Sequence, residues 1–132
     1  MFSVDVNTGG RHGHTVVGLR GQLDATDAAG VTAALASVVA CHPDLVIDLT
    51  GLEFIDCGGL WALAGVREQA RRAGGGLLMA APQRLVLRVL ALSGLADVFS
   101  VHASLEQAEA VRARSRDPGA GGRRGPAGPY GC

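Results

Sequence analysis

The chain has 132 residues, is 48% hydrophobic and carries no formal net charge, with arginine as its basic residue and no lysine at all. That length suits one domain with a buried core. The neutral balance argues against a nucleic-acid groove, which needs a concentrated basic face, and no apolar run reaches the roughly 18 residues of a membrane span.

Phe2–Val6 alternates apolar and polar residues and predicts a half-buried strand. The turn-rich stretch from Asn7 to His14 leads to a second strand over Thr15–Arg20, so the two are expected to pair as a hairpin. Gly21–Thr26 reads as a short loop. A helix then runs from Asp27 to about Cys41, with Val31, Leu35 and Val38 on one face and Thr26 or Asp27 as its cap. Asp44–Leu49 reads as a central strand buried on both faces.

The stretch Phe54-Ile55-Asp56-Cys57-Gly58-Gly59-Leu60-Trp61 reads as a strand end, a tight turn and a helix start. The helix, from Leu60 to about Ala73, turns Leu60, Leu63, Ala64 and Ala70 inward and Arg67, Glu68, Arg71 and Arg72 outward. Leu77–Ala80 is a further core strand. Pro82 opens a third helix with Leu85, Val89 and Leu92 on one side. Val98–Val101 is a brief strand, and Ser104 caps a last helix with Leu105, Ala108 and Val111 inward. The order β-β-α-β-α-β-α-β-α predicts an α/β fold. Its mixed, mostly parallel sheet has about five strands, joined by right-handed crossovers and packed by about four helices.

From Ser115 to Cys132 half the residues are Gly or Pro, so residues 1–114 are expected to form the folded domain and 115–132 a disordered tail. The three cysteines, Cys41, Cys57 and Cys132, are far apart and odd in number, a poor disulfide framework. His12, His14, His42 and His102 lack zinc-site spacing and are expected to be exposed loop residues. The first residues lack the charged and apolar regions of a signal peptide, so a cytoplasmic protein without cofactors is expected.

Cys57 stands at or just before a helix N-terminus, where free amide hydrogens and the helix dipole favour negative charge. A thiolate or a phosphate group would both be at home there. The residues around it do not complete an enzyme. Leu63 stands where a cysteine phosphatase needs arginine, and Leu60 where a Cys-x-x-Cys pair needs its second cysteine. Gly58-Gly59 lacks the lysine of a nucleotide loop. Asp48 and Asp56 suit loop bonding and capping better than acid–base chemistry. Catalysis is therefore not expected.

The run Leu45-Val46-Ile47-Asp48-Leu49-Thr50-Gly51-Leu52-Glu53-Phe54-Ile55-Asp56-Cys57-Gly58-Gly59-Leu60 resembles the signature of STAS domains, and Gly21-Gln22-Leu23-Asp24-Ala25-Thr26 is similar to an earlier block of that family. The resemblance spans residues 1–112, element order included, and implies a STAS-like fold and a binding module. Bacterial members bind an anti-sigma factor, usually a serine kinase with a GHKL-type ATP-binding fold, and so release a sigma factor for transcription. The partner then phosphorylates a Ser or Thr at the start of this helix, and the added charge breaks the interface. The resemblance implies a partner-binding surface made of Asp24, Thr26, Asp56, Cys57, Gly58, Gly59 and Trp61.

Asp56, Gly59 and Leu60 match the family pattern, whereas Cys57 occupies the acceptor position and Gly58 the next. Cysteine keeps nearly the shape of serine but is no substrate for an ordinary serine kinase, so the switch is expected to be altered. Trp61 stands where the family commonly has a small residue. Its ring serves either as a partner anchor or as a cover over the neighbouring helix. The alternatives are a redox-sensitive STAS module acting through Cys57, and a STAS regulator of another partner such as an anion transporter. The sequence sets no oligomeric state.

Overall fold

The computed structural model describes residues 1–8 and 14–115, with the side chains of 112–115 left aside. The turn residues 9–13, with His12, and the expected tail beyond Ser115 lie outside the described residues. Five strands form one sheet in the order β1-β2-β3-β4-β5. They are β1 (Phe2–Asn7), β2 (Thr15–Leu23), β3 (Asp44–Ile55), β4 (Gly76–Ala80) and β5 (Ser100–His102). The helices α1 (Ala28–Cys41), α2 (Cys57–Arg72), α3 (Arg84–Ser93) and α4 (Leu105–Ser115) connect or follow them. β1 pairs antiparallel with β2 as the expected hairpin, and every later pairing is parallel. The mixed sheet and the element order match the reading of the sequence.

Strand geometry divides the core, because successive side chains point to opposite faces. Leu45 and Ile47 of β3 and Leu77 and Met79 of β4 meet α1, α2 and α3 through Val31, Leu35, Val39, Leu60, Leu63, Val66, Val86 and Leu90. Val46, Leu78 and Ala80 point the other way and meet Ala108 of α4, with Leu105 and Val111 packed alongside. Three helices thus cover one face and one helix the other. Ser104 caps α4 as expected, its hydroxyl accepting the Gln107 amide at 3.1 Å.

Several boundaries move, each for a packing reason. β2 runs on to Leu23 through the stretch read as a loop, because Leu23 is fully buried and pairs with Ile55. Gly21 permits this extension: its φ of +92° is open to glycine, and a Cβ there would meet the Met1 carbonyl at 2.7 Å. β3 likewise continues to Ile55, with a register shift against β2. α2 begins at Cys57 rather than Leu60, because Asp56 caps it. Val39 rather than Val38 is the third buried residue of α1, one full turn beyond Leu35. α3 begins at Arg84, after Pro82, and buries Val86 and Leu90, while Leu85 and Leu92 face solvent. β5 lies slightly later than expected, at Ser100–His102.

Two expectations fail on burial and bonding. His14 is fully buried, and its Nε2 lies 3.0 Å from Glu109 Oε2 on α4, so it ties the start of β2 to the last helix. Cys41 is disulfide-bonded, against the expectation of a poor disulfide framework, while Cys57 is a free, exposed thiol. Among the described residues no helix is long and apolar enough to cross a membrane.

The parallel ladder also sets where the ends of strands lie. β4 pairs with β3 only along Asp44–Asp48, whereas β2 pairs with β3 as far as Ile55. The ends of β2 and β3 therefore project together beyond β4, and the turns that follow them meet. Gln83 stands where β4 has stopped, donating its side-chain amide to the Thr50 carbonyl at 2.6 Å.

Leu63 is fully buried in the larger cluster. Leu63→Ala is expected to cost about 2–5 kcal/mol through lost contacts and the cavity left behind. Urea unfolding of both proteins measures it, and an unchanged midpoint would contradict this account of the core.

Candidate functional site

Two turns build the candidate site. In the first, Asp24 follows β2 with an extended backbone and begins a 3₁₀ turn over Ala25–Asp27. Its Oδ1 accepts the Thr26 amide at 2.9 Å and the Thr26 hydroxyl at 2.5 Å. The Asp27 carboxylate returns the bond, its Oδ2 accepting the Asp24 amide at 3.1 Å. This is a reciprocal capping box, with two orphan amides satisfied by two acids. Asp27 is the N-cap residue of α1, one of the two expected, but its carboxylate makes no cap bond to that helix and serves the preceding 3₁₀ turn instead.

In the second turn Asp56 has the extended backbone of an N-cap residue. Its Oδ1 accepts the Gly59 amide at 2.9 Å, which caps α2. Its Oδ2 accepts the Ala25 amide at 3.0 Å, which reaches into the first turn. The Asp56 amide in turn donates to the Leu23 carbonyl at 3.1 Å. One residue so closes α2, continues the β2–β3 ladder and pins the two turns together.

The glycines are explained by the same contact. A Cβ on Gly58 would lie 2.7 Å from the Ala25 Cβ and 2.8 Å from its Cα. A Cβ on Gly59 would lie 2.6 Å from the Leu23 carbonyl oxygen and 2.9 Å from an Ile55 side-chain carbon. Gly58 therefore lacks a side chain because the first turn sits directly on it, and Gly59 because the ends of β2 and β3 do. Sequence reading missed Ala25 and Leu23, which contribute backbone only, so their residue types carry no signal of the role.

Cys57 and Trp61 occupy the outward face of α2, one turn apart. Trp61 is 61% exposed, which decides against a ring folded into the core. Gly65, the next residue on that stripe, has nothing within 4 Å of its would-be Cβ. The structure thus gathers Asp24, Thr26, Asp56, Cys57, Gly58 and Gly59 at one corner, with Trp61 a turn further along. Asp48 stands apart, its Oδ1 accepting the Thr50 amide at 3.0 Å and the Thr50 hydroxyl at 2.6 Å, a loop-bonding role as expected.

The model of the STAS domain matches residues 5–108. The chain belongs to the STAS domain family. It is 34% identical over 97 residues to the anti-sigma-F factor antagonist RsfA of Mycobacterium tuberculosis, an alignment covering 70% of this chain and 75% of that protein. Among solved structures, an anti-sigma factor antagonist from Mycobacterium paratuberculosis superposes with a TM-score of 0.73 at 29% identity, covering 85% of this chain and 94% of that one. The anti-sigma factor antagonist SpoIIAA in its unphosphorylated form gives 0.68 at 21% identity, over 83% and 96% of the two chains, a likeness of fold alone.

In this STAS domain, the anion-favouring end of α2 is already occupied. Asp56 places its carboxylate on the Gly59 amide, so negative charge at that terminus is supplied from within the chain. Cys57 is the exposed residue immediately beyond, a free thiol. The geometry at this corner is that of a rigid surface knob.

The Thr26 hydroxyl, donating to Asp24, does most to hold that carboxyl below its ordinary value of 3.8. Desolvation opposes the shift, while the Thr26 amide, Asp27 and the terminal ammonium add to it. A lowered folded value means the stabilisation is fully present above 3.8 and is lost as pH falls through the lowered value. Asp24→Asn is therefore expected to be less stable than the parent at neutral pH, with the gap closing in acid. Urea midpoints measured across pH check this, and a gap independent of pH would contradict it. Gly59→Ala is expected to destabilise by about 1–3 kcal/mol, because the new methyl meets a backbone carbonyl that cannot swing aside. Thermal unfolding measures that loss.

Proposed function

We propose that the chain is an anti-sigma factor antagonist that docks through the N-terminal corner of α2 onto an anti-sigma factor. The partner is a kinase of the GHKL type, and binding it releases a sigma factor to transcription. The observation that carries this reading is the exposed Cys57, held at the first position of α2 by the Asp56 cap. Family membership and the names of the similar proteins supply the partner class. Asp24, Thr26, Asp56, Gly58 and Gly59 shape the corner, Cys57 is the tip, and Trp61 is the aromatic anchor beside it. The chain works by binding and carries no catalytic step of its own.

In this reading Cys57 takes the place of a phosphorylatable hydroxyl, so the partner can bind but cannot switch the interface off by adding phosphate there. A serine at that position would bring nearly two negative charges beside the Asp56 carboxylate when phosphorylated. The like charges would repel within the contact, which is how the ordinary switch would work at this corner.

The test is binding to a purified anti-sigma factor kinase, followed by phosphate transfer from ATP. Cys57→Ser is expected to bind as the parent does and then to accept phosphate and dissociate, while the parent stays unmodified and bound. Phosphate on the parent chain, at Thr26 or Thr50, would overturn the altered switch. Trp61→Ala is expected to weaken binding by about tenfold or more, as the loss of a central aromatic anchor does. Calorimetry of the two proteins reads it directly.

A further inference from the structure

The outer face of α3 holds an apolar surface that neither core cluster uses. The helix buries Val86 and Leu90 and turns Leu85, Leu87 and Leu92 to solvent, with Leu92 81% exposed. Leu85 and Leu92 are two turns apart and Arg88 lies between them on the same stripe. Arg84, Leu85, Leu87 and Arg88 line an open groove of about 650 Å³. Single exposed leucines are ordinary, but Leu85 and Leu92 lie one above the other on one stripe, with Leu87 across Arg84 and Arg88, so the face is apolar at its edges and basic along its middle.

Charge decides what kind of partner. α3 contains no acidic residue, and among the described residues neither Arg84 nor Arg88 is in an ion pair, whereas Arg20, Arg71 and Arg72 each are. The N-terminus of α3 adds to the positive field. Gln83 makes no side-chain cap bond, and its side-chain NH2 donates to the Thr50 carbonyl instead. A second copy paired two-fold on this face would set Arg84 and Arg88 against their own equivalents, with no acid on the helix to offset them. Apolar contact and positive charge together therefore fit an occupant that is apolar on one side and acidic at its edges.

We propose that the outer face of α3 is a docking surface for an acidic amphipathic helix of another protein, separate from the corner at Cys57. Leucine-like residues of that helix lie along Leu85 and Leu92, and Leu87 borders the contact on the far side of the arginines. Its carboxylates reach Arg84 and Arg88, and one of them approaches the uncapped first turn. The surface is independent of the anti-sigma reading, since it uses no residue of the α2 corner.

The experiment uses the full chain, isotope-labelled, and a synthetic helical peptide with leucines at i, i+3 and i+7 flanked by glutamates. A matched peptide carries lysine in place of each glutamate. The expected result is saturable binding of the glutamate peptide, weakened by salt, with amide shifts centred on α3. Arg84→Glu combined with Arg88→Glu is expected to weaken that binding at least about tenfold and to admit the lysine peptide instead. Leu92→Asp is expected to remove it, and all three positions are exposed, so circular dichroism of the variants should match the parent. Equal binding of both peptides, shifts centred elsewhere, or no saturation into the millimolar range would overturn the proposal. So would a concentration-dependent dimer abolished by Leu92→Asp, which would assign the face to a second copy.

Discussion

The Asp56 carboxylate is the constraint on which the corner depends. One oxygen caps α2 through Gly59 and the other holds the amide of Ala25. An ordinary helix cap satisfies its own helix; this one also fixes a turn far away in sequence. It can do so because the ends of β2 and β3 stay paired beyond the end of β4, which brings Leu23 and Ile55 level. The sheet register, the cap and the loop contact are therefore one arrangement. Removing the carboxylate would leave two amides without acceptors at a place where the chain has no room to rearrange.

Much of the architecture was legible because its signals are periodic. Alternation marked β1, and the apolar runs read correctly as a strand buried on both faces for β3 and a core strand for β4. Ser104 announced the start of α4. What was not legible depended on contacts between distant segments. Leu23 looked like a loop residue until Ile55 stood beside it. His14 looked like an exposed turn residue, but Glu109 of α4 and the packing around it bury it. In α3 the spacing of Leu85, Val89 and Leu92 suggested an inward face, and only the position of β3 and α2 beside the helix selects Val86 and Leu90 instead. Period alone cannot choose between two apolar stripes on one helix.

The candidate site shows the same division. Its motif residues were visible as a resemblance, and the structure gathers them at one corner. The cause of that gathering was hidden, because the decisive groups are the Ala25 amide, the Leu23 carbonyl and the missing side chains of Gly58 and Gly59. Backbone atoms leave no trace in residue type. The exposure of Trp61 was equally beyond reach, since a tryptophan after two glycines suits a buried ring as well as a free one.

The closeness of Gly58 to Ala25 restricts what this corner can become. Even without the Ala25 Cβ, the Ala25 Cα would stand 2.8 Å from any side chain begun at position 58. A hydroxyl-bearing residue there would have to push the whole first turn outward, and the 3.0 Å bond from Ala25 to Asp56 would open with it. A double-armed aspartate and a side chain at that site are mutually exclusive. Grafting two adjacent hydroxyls onto this scaffold would therefore loosen the corner before any phosphate arrived.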